Sequence, residues 1–191
     1  MKPTQFFILA ILIFSLNANA QQSIPKGYKK GNIVLSNGTT ITGYIKDNTS
    51  QDAAVSLLDE STGKKTKYSG IELLSAEIED AKFLCLKGDF FKVVSSGELA
   101  LLQKASNISA KPIYNGTEAI FLNGTEGKTG DHFIYNTSQG QLLWLNKKNK
   151  EAILSFFAND AASLEVAKQN ATDKEVIKNA VALFNSRTTK K

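Results

Sequence analysis

The stretch Asn32-Ile33-Val34-Leu35-Ser36-Asn37-Gly38-Thr39-Thr40-Ile41-Thr42-Gly43-Tyr44-Ile45 decides the fold class. β-Branched and apolar residues crowd both sides of an Asn-Gly pair. Branching at Cβ restricts χ1 and suits the pleated surface of a strand better than a helix. Asn-Gly favours the type I′ turn, whose two central positions both need positive φ. Asn32 to Ser36 and Thr39 to Ile45 are therefore expected to pair as a hairpin across Asn37-Gly38.

Outward from this hairpin the same grammar continues. Asn-Gly-Thr recurs at Asn115 and Asn123, and the two triplets bracket Thr117 to Leu122, which reads as the middle strand of a meander. Short apolar or alternating runs at Val55 to Leu58, Lys65 to Tyr68, Ile71 to Ile78, Ala81 to Leu86, Phe90 to Val94 and Leu99 to Leu102 are separated by Gly or charged turns. His132 to Tyr135 and Leu142 to Leu145 are expected as the last strands. Such spacing predicts an antiparallel, β-rich sandwich or a strongly curved, barrel-like sheet.

After Trp144 the hydrophobic period changes from two to about 3.6. Ile153, Phe156 and Phe157 share one helical face, and a second short helix carries Leu164 and Ala167. Thr172 and Glu175 are spaced as a capping box ahead of the stripe Val176, Ile177, Ala180, Val181 and Phe184. The expected fold is α+β: a β-rich domain over 21–145 and a C-terminal helical segment over 146–191 packed on it.

The composition suits a folded domain. Of 191 residues 42% are hydrophobic and 21% charged, too apolar for disorder. One Cys and one His exclude a disulfide framework and a zinc site built from several such ligands. Residues 1–20 read as a leader: Lys2 is the positive n-region, Phe6 to Phe14 are unbroken apolar, and Ala18-Asn19-Ala20 is a small-x-small cleavage site. Counted to Leu16, this apolar run spans roughly 16 Å, about half a hydrocarbon layer. Cleavage after Ala20, export to the periplasm or beyond, and no later membrane span are expected. No Cys follows the cleavage site, so lipid anchoring there is not expected.

From 21 to 145 acidic and basic residues balance, and the whole excess of positive charge in the mature chain falls after residue 145, partly in Lys147, Lys148 and Lys150. That patch lacks the density and interleaved aromatics of a nucleic-acid surface. A solvated helix face and a frayed end are the expected reading, with weak attraction to anionic lipid or a polyanionic glycan as the alternative.

Motifs of catalysis are weak. In Gly124-Thr125-Glu126-Gly127-Lys128-Thr129 the position that must hold the first glycine of a phosphate loop is Leu122, and a turn is expected instead. Cys85, between Leu84 and Leu86, reads as a buried, inert thiol. His132 with Asp131 and Ser138 could form a hydrolytic set, and Glu77 with Glu79 would project from one strand face as paired carboxylates. No pattern calls for a cofactor or a metal. Tyr28, Tyr44, Tyr68, Tyr114, Tyr135 and Trp144 offer apolar rings with polar tips, and Tyr114, Tyr135 and Trp144 are the residues selected as a ligand platform. Seven Asn-x-Ser/Thr sequons reflect the same Asn-rich turns.

Several of these elements together, Gly31-Asn32-Ile33 through Gly43-Tyr44-Ile45, Tyr68 to Ile71, Phe91 to Leu101 and the closing Phe184-Asn185, resemble uncharacterised exported proteins of Bacteroidota-type bacteria. An acidic–Cys–Pro step frequent in that group is replaced here by Asn159-Asp160-Ala161. The resemblance implies export and an α+β fold, and no activity. The function expected is that of a non-enzymatic cell-envelope protein acting through contacts with an envelope protein. A small-ligand or glycan-binding module is the alternative, and an envelope hydrolase the second alternative.

Overall fold

The computed structural model describes residues 24–110, 112–115, 118–121 and 124–188. The expected leader lies outside them. Among the described residues there are twelve strands: β1 (Tyr28–Leu35), β2 (Thr40–Asn48), β3 (Ala54–Asp59), β4 (Lys65–Ser69), β5 (Leu73–Ile78), β6 (Ala81–Leu86), β7 (Asp89–Ser95), β8 (Leu99–Lys104), β9 (Pro112–Asn115), β10 (Glu118–Phe121), β11 (His132–Asn136) and β12 (Gln141–Trp144). A single turn, α1 (Thr49–Asp52), links β2 to β3, and α2 (Lys150–Ser155), α3 (Ala161–Gln169) and α4 (Lys174–Thr188) close the chain.

Ten of the strands form one antiparallel sheet in the order β12-β11-β8-β7-β6-β5-β1-β2-β3-β4. Two four-stranded meanders, β1 to β4 and β5 to β8, lie side by side through the β1–β5 pairing, and the β11–β12 hairpin extends the second. The sheet curls. Ile33, Ile45 and Val55 of the first meander share one core with Ile78, Phe83 and Phe90 of the second, and all six are buried. At one rim Gly70, just past β4, makes an antiparallel bridge with Gly88, between β6 and β7. The architecture is thus the strongly curved sheet rather than two stacked sheets, and its edge strands remain β4 and β12.

The helices cover one face of the other end. Ile153, Phe157, Ala167, Ile177, Ala180 and Val181 are buried against Leu99 and Leu101 of β8 and Ile134 of β11. Phe157 and Phe184 meet edge to face at 6.1 Å. Asn185 ties α4 to the sheet: its carboxamide accepts from the Leu99 amide at 3.1 Å and donates to the carbonyls of Ser96 and Leu99 at 3.1 and 2.8 Å. It stands in for a neighbouring strand where β8 begins.

Four local expectations are corrected. At Asn37-Gly38 the turn is not type I′, because only Gly38 takes positive φ, at 83°. The Gly38 amide donates to Leu35 and the Leu35 amide to Thr39, which makes a three-residue loop closed by a left-handed glycine. Asn37 instead uses its side-chain oxygen to accept from the Thr39 amide. The run 117–122 is not the middle of a meander, since among the described residues β10 pairs only with β9, in a separate two-stranded sheet. Residues 116–117 and 122–123 lie outside the described residues. The cap of α4 is Asp173, whose carboxylate accepts from the amides of Glu175 and Val176, while Thr172 bonds back to Asn170. A short Asx side chain one residue nearer the helix won over the capping box. Finally, Glu77 and Glu79 do not share a strand face: β5 ends at Ile78, and Glu79 sits in the hairpin turn at φ 52°.

Candidate functional site

The β11–β12 hairpin sets the geometry. Its register places Phe133 opposite Trp144 and Tyr135 opposite Leu142, so these four side chains fall on the sheet face away from the helices. Phe133 and Trp144 stack with centroids 6.4 Å apart and planes at 23°, and Phe91 of β7 meets Phe133 edge-on at 5.2 Å. An aromatic row therefore crosses from the middle of the sheet to its edge. Phe91, Leu102 and Phe133 are buried at its base, while Tyr135, Leu142 and Trp144 are half-buried. Beside the row opens a cleft of about 620 Å³, within the size of small-molecule sites. Polar groups on its wall come from Gln141, Asn149, Thr125 and Glu126.

The opposite wall is the loop that begins at Gly124. A Cβ on Gly127 would lie 3.1 Å from Phe133 Cζ and 3.5 Å from Trp144 Cε2, and φ there is 75°, so only glycine lets the loop lie on the aromatic pair without strain. What fixes the loop is a buried ion pair. Lys104 Nζ and Asp89 Oδ2 are 3.1 Å apart, and both side chains are fully buried. Lys104 also donates to the carbonyls of Thr125, Glu126 and Gly127 at 2.7, 3.2 and 3.1 Å. Asp89 accepts from the Thr125 amide and hydroxyl at 2.8 and 2.7 Å, and from the Ile108 amide at 2.7 Å. Ser106 completes the cluster, its hydroxyl lying 3.4 Å from Asp89 Oδ1 and accepting from the Phe90 amide. Every oxygen and the ammonium find partners, the condition under which a buried pair is tolerable. Sequence reading missed this cluster. The available signal was Lys104, which follows Ala100 and Leu102 at period two on an otherwise apolar strand face.

The loop thus has the opposite polarity from a phosphate cradle. Its carbonyls converge on a cation, whereas phosphate needs inward-facing amides.

The other candidates scatter. Tyr28 carries Lys65 over its ring at 5.7 Å, Tyr44 lines a separate shallow cleft with Asp59, and Tyr68 packs against the first core. Of the three selected residues, Tyr135 and Trp144 line the same cleft. The backbone of Tyr114 lies in β9, and its side chain lies outside the described residues. Cys85 is buried, and burial pushes its thiol up to about 12. Burial, and then Lys174, lower His132 from its ordinary value of 6.5. The Asp131 carboxylate accepts from the Lys128 amide and acts on the imidazole only as a nearby charge, and Ser138 donates to Asn136. Asn136 is at the far end of β11, roughly 13 Å along the strand from His132. Glu77 and Glu79 pair with different lysines, Lys82 at 3.8 Å and Lys29 at 2.6 Å. Among the described residues no group of three His, Cys, Asp or Glu side chains is placed to hold a metal ion, and no helix is long and apolar enough to cross a membrane.

No family model, curated protein or solved structure matches the chain.

Proposed function

We propose that this is an exported cell-envelope protein that works by binding rather than by catalysis, and that the cleft beside Phe133, Tyr135 and Trp144 is its contact site. The observation that carries the reading is the convergence, on one half-open face, of three aromatic rings, Leu142 and the amide side chains of Gln141 and Asn149. Rings supply flat apolar area at low entropic cost, and the amides supply directional donors and acceptors. The dispersal of Cys85, His132, Ser138 and the Glu77/Glu79 pair supports a non-catalytic role. The leader-like residues 1–20 and the resemblance to exported proteins support the location.

Trp144 is the single tryptophan of the chain, so its emission reports the cleft directly. Envelope oligosaccharides, peptides and anionic lipids are titrated against the purified protein while its emission and melting temperature are followed. A ligand specific to the folded state, at 100 times its dissociation constant, adds about 2.7 kcal/mol of stability. The response is expected to saturate and to vanish in Tyr135→Ala. A saturable ligand whose binding is unchanged in Tyr135→Ala and leaves Trp144 emission unmoved refutes the assignment. Amino-terminal sequencing of the exported protein is expected to begin at Gln21.

A further inference from the structure

The two edges of the ten-stranded sheet are guarded differently. Edge strands are normally protected by charge, proline or a bulge, because their unpaired amides and carbonyls template another chain. β4 follows that rule: it carries Lys65 and Lys67, the latter paired with Asp52 at 2.9 Å. β12 reads Gln141-Leu142-Leu143-Trp144, with no charge and no proline. The Leu145 amide donates to His132, which sets the phase of the β11–β12 ladder. Gln141 and Leu143 therefore turn their backbone groups toward β11, and Leu142 and Trp144 turn theirs outward. The Trp144 carbonyl is taken by Asn149 Nδ2 at 3.0 Å, as the amide of an incoming strand would take it. Among the described residues the Leu142 amide and carbonyl and the Trp144 amide have no hydrogen-bond partner. The same two residues line the cleft with their side chains.

We propose that the β12 edge receives an extended, acidic segment of a partner protein as an added strand, with one of its apolar side chains seated beside Trp144 and Tyr135. This rests on the cleft being the contact site. The acidic character follows from Lys147, Lys148 and Lys150, which are exposed just beyond the strand and take part in no ion pair among the described residues; with Lys87 on the cleft wall they outnumber the neighbouring acids, Glu126 on that wall and Glu151. A second copy of this chain is the poorer occupant. Joining two four-residue edges falls well short of the roughly 1,200 Å² that a specific dimer buries.

The probes are heptapeptides alternating glutamate with valine, isoleucine, phenylalanine or tyrosine, their lysine counterparts, N-methylated versions and chitotetraose. Trp144 emission and amide hydrogen exchange are read on the full protein. Acidic peptides are expected to shift the emission saturably and to slow exchange at the Leu142 and Trp144 amides, while the lysine set does neither. N-methylation at alternate positions, or the Lys147→Glu/Lys148→Glu variant, is expected to weaken binding about tenfold. If no acidic peptide binds but chitotetraose shifts Trp144, strand addition is overturned and the cleft stands as the contact site. Peptide binding without protection of those two amides also overturns it. If no probe moves Trp144, both readings fall.

Discussion

Replacing Asp89 with Asn keeps its size and removes its charge. In the native protein Lys104 is fully buried, with Asp89 as its counter-charge at 3.1 Å. Without the carboxylate the ammonium keeps three carbonyls and no anion. The new amide nitrogen must also stand where an oxygen now accepts, from Ile108 on one side or from Thr125 on the other. Breaking a buried pair at one partner costs about 3–5 kcal/mol. In a domain of this size each kcal/mol moves the melting temperature by about 2–4 °C. A fall on the order of 10 °C is expected by circular dichroism. Lys104→Met should lose a comparable amount, because it orphans the carbonyls of Thr125, Glu126 and Gly127. The double variant Asp89→Asn/Lys104→Met should lose clearly less than the sum, since neither single loss can be incurred twice. Trp144 emission should redden in all three, because Gly127 is held against Trp144 by the same cluster. An Asp89→Asn protein that melts within 2–3 °C of the wild type (about 1 kcal/mol), or strict additivity in the double variant, refutes the argument.

Other perturbations test separate joints. Gly127→Ala puts a Cβ at φ 75° and 3.1 Å from Phe133; a loss of about 1–2 kcal/mol is expected by chemical denaturation, together with weaker binding in the cleft. Asn185→Ala removes three hydrogen bonds between α4 and the start of β8, and should cost about 2–3 kcal/mol, with faster hydrogen exchange at Leu99. With its thiol pushed up to about 12, Cys85 should react with a thiol reagent only after denaturant is added; labelling of the native protein at neutral pH would contradict that burial. His132 is lowered in the folded state from 6.5. The unfolded chain then binds more protons, so stability rises with pH through the region just below 6.5 and falls as pH drops through it. Melts between pH 7.5 and 5.5 should lose less in His132→Gln than in the wild type, and equal slopes would refute the sign.

Much of the fold could be read locally. Alternation and β-branching placed the strands, and β6 runs over Ala81–Leu86 as expected. The change of period after Trp144 placed the helices, because a helix buries a stripe every 3.6 residues whatever it packs against. At two of the places where local reading went astray, two local hydrogen-bonding arrangements competed. Thr172 and Asp173 both could cap α4, and the carboxylate won. Asn37 could adopt positive φ or bond to Thr39, and it bonds to Thr39.

The site was half legible. Tyr135 and Trp144 were recognisable as amphipathic rings, but so were Tyr28, Tyr44 and Tyr68, and nothing local separates them. The separation comes from register: Phe133 opposes Trp144 and Tyr135 opposes Leu142 on a hairpin whose other face is taken by helices. By itself, then, the sequence determined which segments are strands, which are helices and where most turns fall, because those depend on neighbours one to four residues away. Only the tertiary structure decided that β1 lies beside β5, that the sheet curls until Gly70 meets Gly88, and that Asp89 and Lys104 share a buried pocket with the loop after Gly124. Those pairings join residues far apart in the chain. They are set by how the whole apolar surface can be covered and every buried charge satisfied, quantities that no short window of sequence contains.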